Sequence, residues 1–161
     1  LTALQDITFL SDIVDRLLDL RMYYDEYRPI LLKVSPDLSH EQLDEIIDYC
    51  LRSGIDGIVA GNTTRSRDGI TSISKEKIEE IGNGGMSGAP VHKKNLELVR
   101  YVHTKSEGKL PIIGVGGIMS PEQAKDMLNA GASLVEIYSG FIYEGPSLVK
   151  RILKYLEQTV K

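Results

Sequence analysis

The hydrophobic positions of the chain follow two rhythms in turn. Phe9, Leu10, Ile13, Val14, Leu17 and Leu18 recur at spacings of three and four, which predicts an amphipathic helix with one buried face. Asp12, Asp15, Arg16 and Asp19 fall mostly opposite, and the pattern fades over residues 23–27 before Pro29. Residues 29–34 are then a short apolar run broken only by Lys33. Such runs predict strands buried on both faces, as in parallel sheets. Pro36 and Asp37 end the strand. Ser39 followed by Gln42 forms a capping box, and Leu43, Ile46, Ile47, Cys50 and Leu51 supply the buried stripe of the next helix. Gly54 ends it in the left-handed conformation that glycine adopts without strain.

The strand-then-helix unit recurs. Residues 57–60 predict a second strand, followed by a polar stretch from Gly61 to about Gly88 with a modest helix over 74–81. Residues 90–105 predict a helix with Leu96, Val99 and Val102 inward, and 111–115 a third strand. Ser120, Pro121 and Gln123 start another helix, which Ala130 and Gly131 end. Residues 133–138 predict a fourth strand. Gly145 and Pro146 open a last helix with Leu148, Val149, Ile152, Leu153 and Leu156 inside. A helix followed by four strand–helix units demands parallel pairing and right-handed crossovers. Two α/β architectures satisfy this. A doubly wound sheet carries helices on both faces; part of a (β/α)8 barrel carries them on one.

Composition narrows the function more than the fold. At 161 residues the chain makes one domain, and 42% hydrophobic with 26% charged residues excludes disorder. Lys and Arg total 19 against 23 Asp and Glu, a net charge of −4, which argues against nucleic acid as a partner. The single cysteine, Cys50, excludes an internal disulfide and is expected to be packing. No apolar run reaches membrane-spanning length. His40, His92 and His103 are spread along the chain and are expected in solvent, and no metal-ligand spacing occurs. The chain opens at Leu1 without a basic-then-apolar leader.

In either architecture chemistry gathers at the C-terminal ends of the strands. Gly114-Val115-Gly116-Gly117 follows the third strand, and Tyr138-Ser139-Gly140 the fourth. Each is read either as a tight turn or as backbone bared for a phosphate, and two such turns on consecutive strands favour the phosphate. Lys33 is either half of an ion pair or a cation aimed at an anionic ligand. Asn62 either closes an Asx turn or grips a planar polar ring through its donor and acceptor. No Ser-His-Asp set and no catalytic carboxylate pair can be picked out.

Taken in series, these segments resemble a known family. Leu31-Leu32-Lys33-Val34-Ser35-Pro36-Asp37-Leu38, Asn62-Thr63-Thr64, Gly84-Gly85-Met86-Ser87-Gly88, Ile112-Ile113-Gly114-Val115-Gly116-Gly117-Ile118 and Gly131-Ala132-Ser133-Leu134-Val135-Glu136-Ile137-Tyr138-Ser139 are similar to dihydroorotate dehydrogenases. Their order and spacing suit the quinone-linked class 2, as does Leu4-Gln5-Asp6. The resemblance implies an FMN-containing (β/α)8 barrel that oxidises dihydroorotate to orotate in pyrimidine biosynthesis. In that family a Ser base takes the C5 proton, the flavin takes the C6 hydride, and a quinone reoxidises the flavin. The resemblance further implies that Lys33, Gly61, Ser87, Gly88, Gly116, Gly117, Tyr138 and Ser139 contact the cofactor and that Asn62 and Thr63 contact the substrate ring. One departure stands out: the family usually carries Thr where this chain has Gly61, which removes a side-chain contact to the flavin.

By the same resemblance, residues 1–161 are a single FMN-binding segment, the C-terminal half of a longer barrel domain. The Ser base and the N-terminal membrane helices of class 2 then fall outside it. This implies a soluble, inactive segment of an enzyme held peripherally on the cytoplasmic or inner membrane. Its open sheet edges would meet the missing N-terminal half or a second copy of the chain. The alternatives are a small phosphate- or flavin-binding module and a half-barrel scaffold, both without catalysis.

Overall fold

A computed structural model describes residues 6–68, 70 and 73–159. Leu4 and Gln5, one part of the resemblance, and the opening at Leu1 lie outside the described residues. The elements run α1 (Ile7–Arg21), β1 (Leu31–Val34), α2 (His40–Ser53), β2 (Gly57–Ala60), α3 (Lys75–Ile81), a 3₁₀ turn (Ala89–Val91), α4 (His92–Lys105), β3 (Ile112–Val115), α5 (Pro121–Asn129), β4 (Leu134–Glu136), α6 (Ser139–Glu144) and α7 (Ser147–Thr159). Local chemistry sets the boundaries. The Ser39 hydroxyl accepts from Gln42 N while the Gln42 side chain accepts from Ser39 N. Ser74 and Ser120 cap α3 and α5 in the same sense, and Gly54 closes α2 at φ +81°. Each such cap contributes about 1 kcal/mol.

The four strands pair in parallel in the order β1-β2-β3-β4. That order decides between the two architectures. A doubly wound sheet reverses its strand order at a switch point. Here every right-handed crossover steps the same way, which lays the helices along one face, as in a barrel. Register agrees. Ile58, Ala60 and Ile112 face the helices and are buried, whereas the row Lys33, Val59, Ile113 and Leu134 faces the other way. In that row Leu134 is 62% exposed.

The expectation of strands buried on both faces is therefore corrected. Apolar residues occupy both faces, but only one is covered here by helices. The core runs without a break from Leu43, Ile46 and Ile47 of α2, through Val99 and Val102 of α4, to Met127 of α5 and Leu148 of α7. The outermost helices depart from the sequence pattern in the same way. On α1, Leu10 and Val14 are buried while Phe9 (60% exposed), Ile13 and Leu17 are open. On α7, Leu148 and Ile152 are buried while Val149 and Leu153 (56%) are open. Leu51 of α2 is exposed too, and α4 buries Leu98 more completely than Leu96. A helix with a neighbour on only one side covers only half of its apolar stripe. The short α6, which follows β4 directly, occupies residues that the sequence pattern left between strand and last helix.

At the start of the sheet an ionic junction ties helix to strand. Asp56 accepts from Arg21 Nη1 and Ile30 N, both at 2.7 Å, and from the Tyr27 hydroxyl. Burial alone would raise its carboxyl, but these donors and the guanidinium hold its pKa below the ordinary value.

Candidate functional site

Alternation along β1 places Lys33 on the open face near the strand's C-terminal end. Past β2 the chain continues as Gly61-Asn62-Thr63, past β3 as Gly116-Gly117, and past β4 as Tyr138-Ser139. Together with Ser87 and Gly88 from the long loop, these residues line one cavity of about 210 Å³. Every residue that the resemblance implied for cofactor or substrate is thus gathered at one place. Val91, Val115, Ile118, Glu136 and Gly140 complete the lining.

Lys33 lines the cavity, and the ion pairs among the described residues do not include it. Asn62 Oδ1 accepts from Thr63 N at 2.8 Å, one residue on rather than the two of an Asx turn, and the residue lines the cavity. The turn is fixed from several directions. Gly61 N donates to Val115 O at 3.2 Å, and Thr64 and Met86 exchange backbone hydrogen bonds at 3.1 and 2.7 Å. Thr63 also presses against Gly85, where any Cβ would overlap its hydroxyl. That contact explains the second glycine of the Gly84-Gly85 pair.

The donors on the far wall suit an anion. The Ser139 hydroxyl donates to the Ser87 hydroxyl at 3.2 Å, and both residues line the cavity. Gly88 adopts φ +80°, with Ser139 Cβ 3.8 Å from where its own Cβ would be. Gly117 adopts φ +72° and passes directly over the start of α4: a Cβ there would lie 2.6 Å from His92 N and 2.7 Å from its Cα. Hydroxyls, bare backbone and one ammonium form a donor set for a phosphorylated ligand. Among the described residues, Glu136 is the one acidic residue in the lining. The residues therefore fit a phosphorylated cofactor with a planar ring.

Three groups around the site carried no signal in the sequence. His92, expected in solvent, has both ring nitrogens buried beneath the Gly117 turn, and burial pushes its pKa down. Asn95, in the first turn of α4, is fully buried behind the Gly61 and Gly116 turns. Asp37 gathers the loop after β2: it accepts from the Thr64 hydroxyl, from Lys94 Nζ, and from Arg65 N at 2.8 Å. Each is a partnership across tens of residues, and single residue types do not announce such partnerships. Cys50 is buried in the helical layer, where burial pushes its thiol up to about 12, consistent with packing. Among the described residues no group of His, Cys, Asp and Glu is placed to hold a metal.

The Asp37 junction carries a pH prediction. Burial raises the carboxyl, but the bonds from Lys94, Thr64 and Arg65 outweigh it, so its pKa falls below the ordinary 3.8. A carboxylate with a lowered folded pKa contributes stability that is present above the unfolded value and lost as pH falls through the folded one. The stability difference between wild type and Asp37→Asn should therefore be full at neutral pH and shrink below about pH 4. Denaturant melts of both proteins across that range test this, and a gap that stays constant down to pH 2 would refute it.

Comparison with known proteins follows the same lines. The sequence profile of the family described as dihydroorotate dehydrogenase matches residues 4–160. The chain is 42% identical over 154 residues to a dihydroorotate dehydrogenase (quinone) of Proteus mirabilis, covering 96% of this chain and 44% of that protein. It is 45% identical over 152 residues to one from Christiangramia forsetii, covering 94% and 43%. The chain thus spans less than half the length of these curated relatives. Among solved structures it superposes on a ligand-free DHODH of Eimeria tenella with a TM-score of 0.85 at 30% identity, covering 97% of this chain and 47% of that one. A second Eimeria tenella DHODH, in complex with ferulenol, gives 0.86 at 27% identity, covering 96% and 44%.

Proposed function

The chain belongs to the dihydroorotate dehydrogenase family, and from that premise we propose that the protein carrying it oxidises dihydroorotate to orotate in pyrimidine biosynthesis, with FMN as cofactor and a quinone as final acceptor. The observation that carries this is the convergence of Lys33, Asn62, Thr63, Ser87, Gly116, Gly117 and Ser139, from every strand end, on one cavity. When bound, FMN supplies the hydride-accepting chemistry. The Ser87 and Ser139 hydroxyls and the bare backbone at Gly88, Gly116 and Gly117 hold its phosphate and ribityl oxygens, with Tyr138 beside them. The Lys33 ammonium favours negative charge on the adjacent ring. Gly61 contributes backbone only. Asn62 and Thr63 orient the substrate ring through paired donors and acceptors.

The 161 residues act as one FMN-binding segment of a longer barrel domain. A Ser base from outside them removes the C5 proton. The remaining half of the barrel covers the open face of the sheet and the apolar stripes of α1 and α7; a second copy of the chain is the competing occupant. The whole enzyme sits peripherally on a membrane. Among the described residues no helix is long and apolar enough to cross one.

The test is to purify the protein carrying this chain, quantify FMN per polypeptide, and follow orotate formation with a soluble quinone, fumarate or NAD as acceptor. One FMN per chain and quinone-dependent orotate are expected. Flavin without turnover on any acceptor would make the protein a binding module, and turnover with fumarate or NAD alone would overturn the quinone assignment. The 161-residue polypeptide by itself should form no orotate. Turnover there would place the base inside this cavity, with Glu136 the first residue to test.

A further inference from the structure

We propose that Asn95 and Gly61 are a matched pair: the Asn95 amide occupies the space a side chain at position 61 would need, and in doing so it positions the loop that carries Asn62. Asn95 lies on the inner face of α4 beside Leu98, Val99 and Val102 and has no exposed surface. Its Nδ2 donates to the backbone oxygen of Asn62 at 3.1 Å, whereas its Oδ1 has no hydrogen-bond partner. An amide so placed is costly to keep in an apolar layer unless its fit is specific.

The fit is on both sides. A Cβ on Gly61 would overlap Asn95 Oδ1 and come within 2.9 Å of Leu98 Cδ2. A Cβ on Gly116 would overlap Asn95 Nδ2 and come within 2.9 Å of Asn95 Cγ. The amide is thus wedged between the turn after β2 and the turn after β3, both of which line the cavity. The two glycines differ in one informative respect. Gly116 has φ +113° and favours glycine on backbone grounds alone. Gly61 is absent from the positive-φ residues, so what excludes a side chain there is contact, chiefly with the Asn95 amide and secondarily with Leu98 Cδ2. Asn95 is not among the residues that line the cavity; it is a positioning residue that acts through the Asn62 backbone.

The functional part of this inference rests on the reading of the cavity as a flavin and orotate site, and the experiment separates the two. In the holoprotein, Asn95→Ala, Gly61→Ala and the double variant are compared for KM and kcat on dihydroorotate, for the orotate-induced shift of the flavin spectrum, and for unfolding temperature. Gly61→Thr in the same two backgrounds repeats the test with the larger side chain. In the Asn95 background, Gly61→Ala should raise KM about tenfold, weaken the spectral shift and lower the unfolding temperature, a coupling on the scale of contacting pairs. In the Asn95→Ala background the same change should have little further effect on any of the three. Asn95→Ala by itself should move KM more than kcat. Equal damage from the position-61 change in both backgrounds would overturn the pairing. If the wild type bound no flavin, the functional reading would fail, yet the unfolding temperatures would still decide whether the two residues are coupled.

Discussion

Replacing Gly117 by alanine should abolish flavin retention in the protein carrying this chain and lower its unfolding free energy by about 2–5 kcal/mol. Two costs add. The turn sits at φ +72°, where an L-residue costs about 1–2 kcal/mol. The new methyl would also lie 2.6 Å from His92 N and 2.7 Å from its Cα; these are backbone atoms of the first residue of α4, which cannot rotate away. Relieving that overlap shifts either the helix or the turn, at about 1–3 kcal/mol. Either shift displaces backbone from the cavity wall that Gly117 shares with Ser87, Gly88 and Ser139. Gly54→Ala is the control. It has φ +81° but nothing within 4 Å of its would-be Cβ, so it carries the backbone cost alone and leaves the cavity untouched. The measurements are the flavin-to-protein absorbance ratio after gel filtration and a denaturant melt. A Gly117→Ala protein with full flavin and wild-type stability would remove the argument that this turn must be bare.

Lys33→Met should leave the fold and most of the bound flavin intact while slowing substrate-dependent flavin bleaching by about 10²–10³-fold, the scale of removing one preorganised charge from an active site. The stability half of this prediction follows from the surroundings. Lys33 lies on the open face of β1, and the ion pairs of the described residues do not include it. Its removal therefore strands no buried partner. The rate half follows from its place at the strand end on the same cavity as Asn62 and Thr63. Single-turnover mixing with dihydroorotate in the absence of quinone isolates the step. An unchanged bleaching rate would mean that the ammonium serves solubility or subunit contact rather than chemistry. A collapse of stability would mean that it has a structural partner.

Both predictions concern residues that were visible in the one-dimensional pattern, because Lys33 interrupts an apolar run and Gly116-Gly117 pairs two glycines directly after one. The same holds for the order of elements. Ser39 with Gln42, Ser120 with Pro121, and Gly54 are decided by hydrogen bonds and backbone preferences within a few residues, so sequence by itself was enough to lay out four strand–helix units and the turns between them. Sequence did not reveal which residues stand behind those turns. Asn95 meets Asn62 across 33 positions and Lys94 meets Asp37 across 57, and the Gly117 turn packs on the start of α4 at His92, 25 positions away. Nor could periodicity say that Phe9, Leu134 and Leu153 would stand open. An apolar side chain records that its face favours burial, whereas burial itself depends on what packs against that face, and this is decided only once the strands have been ordered β1-β2-β3-β4 without a reversal.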